Sequence, residues 1–202
     1  MKRFLVYLSL PLLLIGCMSR LSPTRHAYLL QLNEPVKSAQ KPIANTLLVA
    51  PAHVLAPYAG REFVYHKADN TYQSDYYHLF FVPPAQHVTH LMHTWMTQTG
   101  LFQHVISSSA MAKPNYVLQV VVTQLNADDT VSPAVGRVAM RVSLLKTHNG
   151  IRKSIFHHTY HHATVISPAN ADGLVNAWQD AMVAELQALT ADMQRVVSKH
   201  QA

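Results

Sequence analysis

The sequence predicts an α+β fold, a two-layer sandwich in which a mainly antiparallel sheet carries two amphipathic helices on one face. Two segments place apolar residues at helical spacing, one after Pro83-Pro84 and one near the C-terminus. The segments around them show the alternation or the β-branched content of strands. With 49% hydrophobic and 13% charged residues, the chain has the composition of a globular domain.

Short strands and one helix are predicted in the first half of the chain. Proline is tolerated in the first turn of a helix, so Pro83-Pro84 can start one, and Gly100 can end it. The apolar face of this helix consists of Val88, Leu91, Met92, Trp95 and Met96. The strands are predicted at Tyr28–Leu32, Leu47–Ala50, Arg61–Tyr65 and Tyr72–Phe81, and the last two form a hairpin.

The second half predicts longer strands and a final helix. A β-branched run from Tyr116 to Leu125 indicates a central strand that is covered on both sides. From Arg137 to Leu144 the pattern alternates, so one side of that strand should face water. Asn149-Gly150 predicts a hairpin turn to a partner strand ending near Ile166. A helical period with Val175, Trp178, Met182, Leu186, Leu189, Met193 and Val196 follows.

The N-terminus has the features of an export signal. Lys2 and Arg3 precede an apolar run, Phe4–Ile15, that is too short to span a bilayer comfortably. Leu14-Ile15-Gly16-Cys17 resembles the lipobox of bacterial lipoproteins, and Cys17 is the only cysteine. The resemblance to a lipobox implies that residues 1–16 are removed and that Cys17 is acylated. Two or more acyl chains anchor a protein stably in a membrane. We therefore expect a tether at 17–27 and one periplasmic domain at 28–202.

Histidines raise the question of a metal site. His157, His158, His161 and His162 lie in a predicted strand, where residues four apart are about 13 Å apart, too far to share a zinc ion. His87, His90 and His93 have helical spacing that could bring imidazoles together. The predicted helix contains no Asp, Glu or Cys to complete such a site, so a polar helix face is the simpler interpretation. We predict no metal and no cofactor.

No motif in the sequence indicates catalysis or nucleic-acid binding. The formal charge of +6 is spread along the chain without an arginine-rich stripe. Asp128-Asp129 is expected to lie in a solvated turn, and the chain lacks a Gly-x-Ser-x-Gly elbow. We therefore expect a protein that is not an enzyme and that binds no nucleic acid.

An aromatic stretch is the candidate partner or lipid surface. Aromatic residues are more frequent in this stretch than a core requires, although core packing would explain part of them. Exposed apolar patches mark interaction sites. The residues are Tyr58, Phe63, Tyr65, Tyr72, Tyr76 and Tyr77.

A series of short motifs occurs in a fixed order between Tyr28 and Leu125. The motifs are Tyr28-Leu29-Leu30, Leu47-Leu48-Val49, Phe63-Val64-Tyr65, Tyr76-Tyr77, Val82-Pro83-Pro84, Gly100-Leu101-Phe102 and Tyr116-Val117-Leu118. Their order and spacing resemble the ABC-type transport auxiliary lipoproteins, periplasmic partners of Pqi-like and other MCE (mammalian cell entry) lipid-transport systems. Family members often have a tryptophan before the Pro-Pro pair, where this chain has Phe81-Val82.

This resemblance implies a non-catalytic subunit of an MCE-type ABC system that meets an MCE-domain protein and helps lipid pass between membranes. A lipid ligand and a homo-oligomer are both compatible with it. Met18-Ser19 lacks the aspartate that usually retains lipoproteins at the inner membrane, so sorting to the periplasmic side of the outer membrane is implied. The alternatives are an assembly or scaffolding lipoprotein of another envelope complex, and a periplasmic hydrolase or metal-binding protein that uses the histidines.

Overall fold

The computed structural model describes residues 24–32, 42–107 and 113–200. Cys17, the predicted signal peptide and most of the predicted tether lie outside these residues. The helices are α1 (Pro84–Thr99) and α2 (Ala171–Lys199), with a short 3-10 helix at Ala56–Tyr58. The strands are β1 (His26–Tyr28), β2 (Ala44–Val49), β3 (His53–Val54), β4 (Glu62–His66), β5 (Tyr72–Phe80), β6 (Phe102–Ser107), β7 (Tyr116–Asp128), β8 (Val135–His148) and β9 (Ile151–Val165).

Strand β7 pairs with more strands than any other described strand of the sheet. One edge pairs with β8 from Tyr116 to Asp128, and β8 in turn pairs with β9. The other edge pairs in succession with three short strands, first β2, then β3 and finally β4. Strand β6 lies beside β2, β5 lies beside β4, and β1 lies beside β5. Strand β7 is therefore a central strand, as its β-branched run predicts, but the exposed Gln119 shows that one of its sides is not fully covered.

The prediction of an α+β fold with two helices is confirmed, but the prediction of a mainly antiparallel sheet is wrong. The pairings β1–β5, β2–β6, β2–β7, β3–β7 and β4–β7 are parallel. Antiparallel pairing is found in β4–β5, β7–β8 and β8–β9. Turn motifs reveal hairpins between neighbours in the sequence, whereas a parallel neighbour is reached through a long crossover that has no local turn signal.

Both helices pack on the same side of the sheet and contact each other. Helix α1 lies against β2, β3 and β6, and α2 lies against β8 and β9. Trp95 Nε1 donates a hydrogen bond of 2.9 Å to Thr190 Oγ1 across the two helices. Asn170 caps α2 by accepting from the Gly173 N–H at 2.9 Å, and Gly100, with φ of 63°, ends α1. Among the described residues, no helix has the length and apolar character needed to cross a bilayer.

Trp178 lies at the centre of the core and is fully buried. Its ring meets Phe63 edge-on at 4.9 Å and lies 5.4 Å from Phe80, so α2 is packed directly on β4 and β5. Such aromatic pairs add about 0.5–1.5 kcal/mol beyond the burial of apolar area. The indole Nε1 donates to the backbone oxygen of Asn126 at 3.2 Å, which fixes the ring relative to β7.

Gly136 allows β8 to approach α2 closely. A Cβ atom at this position would lie 3.0 Å from Ala177 Cβ and 3.2 Å from Trp178 Cδ1. Both neighbours are buried, so neither can move without disturbing the core.

We expect Gly136→Ala to lower the free energy of unfolding by about 1–3 kcal/mol, because the added methyl group overpacks the core beside Trp178. Urea unfolding followed by tryptophan fluorescence measures the change. Gly60→Ala is the control, since its Cβ would meet only the flexible end of the Glu62 side chain at 3.1 Å. Equal losses of stability in the two variants would contradict the close packing at Gly136.

Glu185 is a buried acid on the sheet-facing side of α2. Its side chain is 3% exposed, and neither carboxyl oxygen has a well-formed hydrogen bond to a described residue. Burial raises the pKa of Glu185 to about 8, and the backbone N–H of His162 opposes this only weakly. The side chain is therefore largely protonated and neutral at neutral pH.

Replacement of Glu185 by Gln should change how stability depends on pH. The folded-state pKa lies above the ordinary value of 4.5, so the wild type loses stability as pH rises from about 4.5 through about 8. Gln does not ionise, so the variant should gain about 5 kcal/mol relative to wild type across this window, at about 1.4 kcal/mol per unit of pKa shift. Urea unfolding at pH 4, 6 and 8.5 measures the difference, and a difference that does not change with pH would contradict the raised pKa.

Candidate functional site

The candidate surface is built on an irregular hairpin between β4 and β5. Tyr65 pairs with Gln73 and Val64 with Ser74, but the next pair is Glu62 with Leu79. Between these two pairs β4 advances by two residues and β5 by five, so residues 75–78 of β5 have no partner in β4 and bulge out of the ladder. Bulges twist a strand and redirect its side chains.

Asp75 organises this bulge. Its Oδ1 accepts from the Tyr77 N–H at 2.7 Å and from the His78 N–H at 3.2 Å, and its Oδ2 lies 2.7 Å from His78 Nδ1. Burial disfavours the charge on Asp75, but these hydrogen bonds outweigh it and keep the pKa of Asp75 below its usual value. The carboxylate therefore replaces the ladder partners that the bulged residues lack.

The bulge and its flanks expose four large aromatic side chains, which we call the aromatic surface. The exposed fractions are 57% for Tyr72, 58% for Tyr76, 48% for Tyr77 and 60% for Phe81. Tyr76 and Tyr77 contact each other edge-to-face at 5.5 Å, and Tyr72 stacks on His66 at 4.5 Å. Among the described strands, β1 covers only His78–Phe80 on the outer edge of β5, so the edge beside Tyr76 has no strand neighbour.

The remaining predicted aromatic residues lie below this surface. Tyr58 and Tyr65 are half-buried, and burial together with interaction with Asp75 raises the pKa of Tyr65 to about 12. Tyr58 interacts with Tyr72, which connects it to the surface. Phe63 is fully buried against Trp178 and belongs to the core, because on β4 it points toward the helices. Phe63 is therefore removed from the candidate surface.

Two cations at the aromatic surface were not among the predicted site residues. The Arg25 guanidinium lies 4.6 Å from the centre of the Tyr76 ring, and its Nε donates to the Tyr76 backbone oxygen at 2.9 Å. Lys67 Nζ lies 4.6 Å from the centre of the Tyr65 ring. Both contacts are cation–π interactions that restrain the rings. Ser74-Asp75, a polar pair inside an aromatic strand, is the sequence signal that could have revealed the bulge.

The structure places the other candidate residues outside this surface. Asp128 is buried rather than solvated, and hydrogen bonds from Thr130 and Arg137 outweigh its burial and keep its pKa low. His87 is buried at Leu30, so it does not lie on a polar helix face. The histidines at 157–162 lie on a strand, as predicted. No group of three or more potential ligands in the described parts of the chain could bind a metal ion.

The site thus offers exposed aromatic rings, flanking cations and hydrogen-bonding hydroxyl groups. A cavity of about 310 Å³ lies among Tyr65, Lys67, Asp75, Tyr76 and Tyr77. This combination suits the binding of a protein surface or an amphipathic molecule, because aromatic residues supply apolar area together with polar edges.

Comparison with known proteins gives a fold and a family. Protein XCC0632 from Xanthomonas campestris has a similar structure, with a TM-score of 0.76 and 13% identity over 87% of this chain and 99% of that one. Hypothetical protein CT253 from Chlamydia trachomatis is similar with a TM-score of 0.58 and 5% identity over 76% of this chain and 98% of that one. At these identities the likeness shows the fold alone.

At the level of sequence, no curated protein matches the chain significantly. The family model of the ABC-type transport auxiliary lipoprotein component matches residues 28–193, which include every strand from β2 to β9 and most of α2. The chain therefore belongs to the family of ABC-type transport auxiliary lipoproteins.

Proposed function

We propose that this chain is a non-catalytic auxiliary subunit of an MCE-type ABC system for intermembrane lipid transport, anchored in the outer membrane and facing the periplasm. Membership of the auxiliary family implies association with an ABC transport system. The observation that carries the proposal further is the aromatic surface beside the part of β5 that no described strand covers. This surface is the docking site for the MCE-domain protein.

Restraint of the aromatic rings supports a docking role. Side chains that are already ordered lose less conformational entropy on binding. Tyr76 is held by Arg25 and by Tyr77, and Tyr72 is held by His66. Aromatic residues are also enriched in protein interfaces. The surface is therefore preorganised for a partner.

The sequence around Cys17 supports the location. Residues 14–17 resemble a lipobox, and the chain belongs to a lipoprotein family. Acyl groups, including palmitate, on Cys17 would keep the domain at the membrane because each buried methylene contributes about 0.8 kcal/mol.

Crosslinking of intact envelopes followed by affinity purification tests the partner. We expect an MCE-domain protein to be recovered with the wild type. Its recovery should fall about tenfold or more with Tyr76→Ser/Tyr77→Ser, because tyrosine is enriched among hot-spot residues, whose truncation costs about 2 kcal/mol or more. The control is His161→Ser/His162→Ser, which removes two adjacent exposed ring side chains from β9, away from the aromatic surface. Mass spectrometry identifies and quantifies the partners.

Two results would contradict the partner assignment. Recovery of secretion or outer-membrane assembly proteins without any MCE-domain protein would favour a scaffolding lipoprotein. Equal recovery from the tyrosine double variant and from wild type would show that the partner binds elsewhere. Far-UV circular dichroism of both variants confirms that the fold is retained.

Cys17→Ala should abolish acylation and release the protein from the outer membrane. Palmitate labelling and density-gradient separation of the two membranes measure both effects. We expect the wild type to be labelled and to sediment with the outer membrane, and the variant to be unlabelled. Wild-type protein in the inner-membrane fraction would show that Met18-Ser19 does not direct sorting as proposed.

A further inference from the structure

A second cavity lies at the other end of the sheet, away from the aromatic surface. It has a volume of about 590 Å³, which is within the range of small-molecule sites. The cavity lies between the turn that joins β8 to β9 and the C-terminal end of α2. Its principal lining residues are Lys146, His148, Ile151, Lys153, Ile155 and His200.

Two lysines lie beside each other in the lining of this cavity. Lys146 of β8 and Lys153 of β9 are direct partners in the antiparallel ladder. Like charges directly opposite each other on paired strands destabilise the pair. Lys146 Nζ donates to the His200 backbone oxygen at 2.6 Å, but this acceptor carries no net charge. The positive charge of the pair is therefore not neutralised by that contact.

The surrounding sequence offers no acid to neutralise the lysines. From Thr130 to Ala171 the chain has five Lys and Arg residues and no Asp or Glu. Within the parts of the chain that the structure describes, neither lysine forms an ion pair. An anion that enters the cavity would accept hydrogen bonds from both ammonium groups, which are stronger than bonds between neutral groups.

The same cavity has an apolar wall. Ile151 is 73% exposed, the most exposed of the large hydrophobic side chains described, and Ile155 packs against the edge of the core. A free inorganic anion would leave Ile151 in water, and a purely apolar ligand would leave the lysines facing each other. A molecule with an anionic group and an alkyl chain would contact both the lysines and the apolar wall.

We propose that this cavity binds an anionic amphiphile, with its phosphate or carboxylate group between Lys146 and Lys153 and its alkyl chain against Ile151 and Ile155. The site goes beyond the docking role of the aromatic surface. The lysines and the apolar wall lie away from the aromatic surface, so the site can be tested whether or not an MCE-domain partner is found.

Thermal unfolding of the full-length protein in phosphatidylcholine nanodiscs tests the site. The probes are dihexanoyl phosphatidylglycerol, dihexanoyl phosphatidylcholine and inorganic phosphate. We expect phosphatidylglycerol to raise the Tm and the other two probes to have little effect at equal concentration. Lys153→Gln should weaken the apparent affinity for phosphatidylglycerol about fivefold or more, because one of the two charge-assisted contacts is lost.

Matched variants separate the site from general electrostatics. Lys153→Arg keeps the charge and should retain binding, and Arg141→Gln removes an exposed cation of β8 outside the cavity and should change the affinity less than about twofold. Ile151→Ser should weaken the response to phosphatidylglycerol. Without ligand, Lys153→Gln should not lower the Tm, since it relieves the opposed charges.

Three outcomes would overturn the proposal. Equal stabilisation by the two lipids would show that charge is not recognised. Equal stabilisation by inorganic phosphate and phosphatidylglycerol would show that the alkyl chain contributes nothing. Equal losses in Arg141→Gln and Lys153→Gln would show only diffuse attraction of anions to a basic hairpin.

Discussion

Strand β7 must satisfy backbone hydrogen-bonding groups on both edges along thirteen residues, and the rest of the fold follows from this requirement. One edge is satisfied by a single long partner, β8. The other is divided among β2, β3 and β4, which arrive in the order of the sequence because Pro51 and Pro57 interrupt the chain between them. Each short strand can pair with only part of β7, and β2 and β4 have the outer neighbours β6 and β5.

This division places the hairpin of β4 and β5 at one end of β7. Strand β4 meets β7 only at Ala127 and Asp128, and β5 lies outside it. The inner face of the hairpin is fixed by Phe63 and Phe80 against Trp178, while Asp75 satisfies the bulged backbone on the outside. The aromatic contacts hold the hairpin on the core, and the hydrogen bonds of Asp75 satisfy the backbone of the bulge. Tyr76 and Tyr77 can therefore remain exposed in a defined arrangement.

Sequence reasoning succeeded where the signal is local. The helical period from Val88 to Met96 and the turn at Asn149-Gly150 predicted α1 and the β8–β9 hairpin correctly. It failed where tertiary contacts determine strand pairing and side-chain burial. Parallel pairing of β2 and β4 with β7 has no local motif, and Phe63 is indistinguishable from Tyr65 until Trp178 is known to cover it. The aromatic density identified the hairpin, but the exposure of Tyr76 and Tyr77 depends on the bulge that Asp75 stabilises.

The two proposed sites lie at opposite ends of β7. The aromatic hairpin adjoins Asp128, whereas Lys146 pairs with Tyr116, and thirteen residues of strand separate these points by about 40 Å along the chain. Strand β1, which follows the N-terminal region that contains Cys17, lies beside β5 at the aromatic end. The lysine cavity therefore lies at the end of the sheet remote from β1, and a ligand bound there would not contact the aromatic surface.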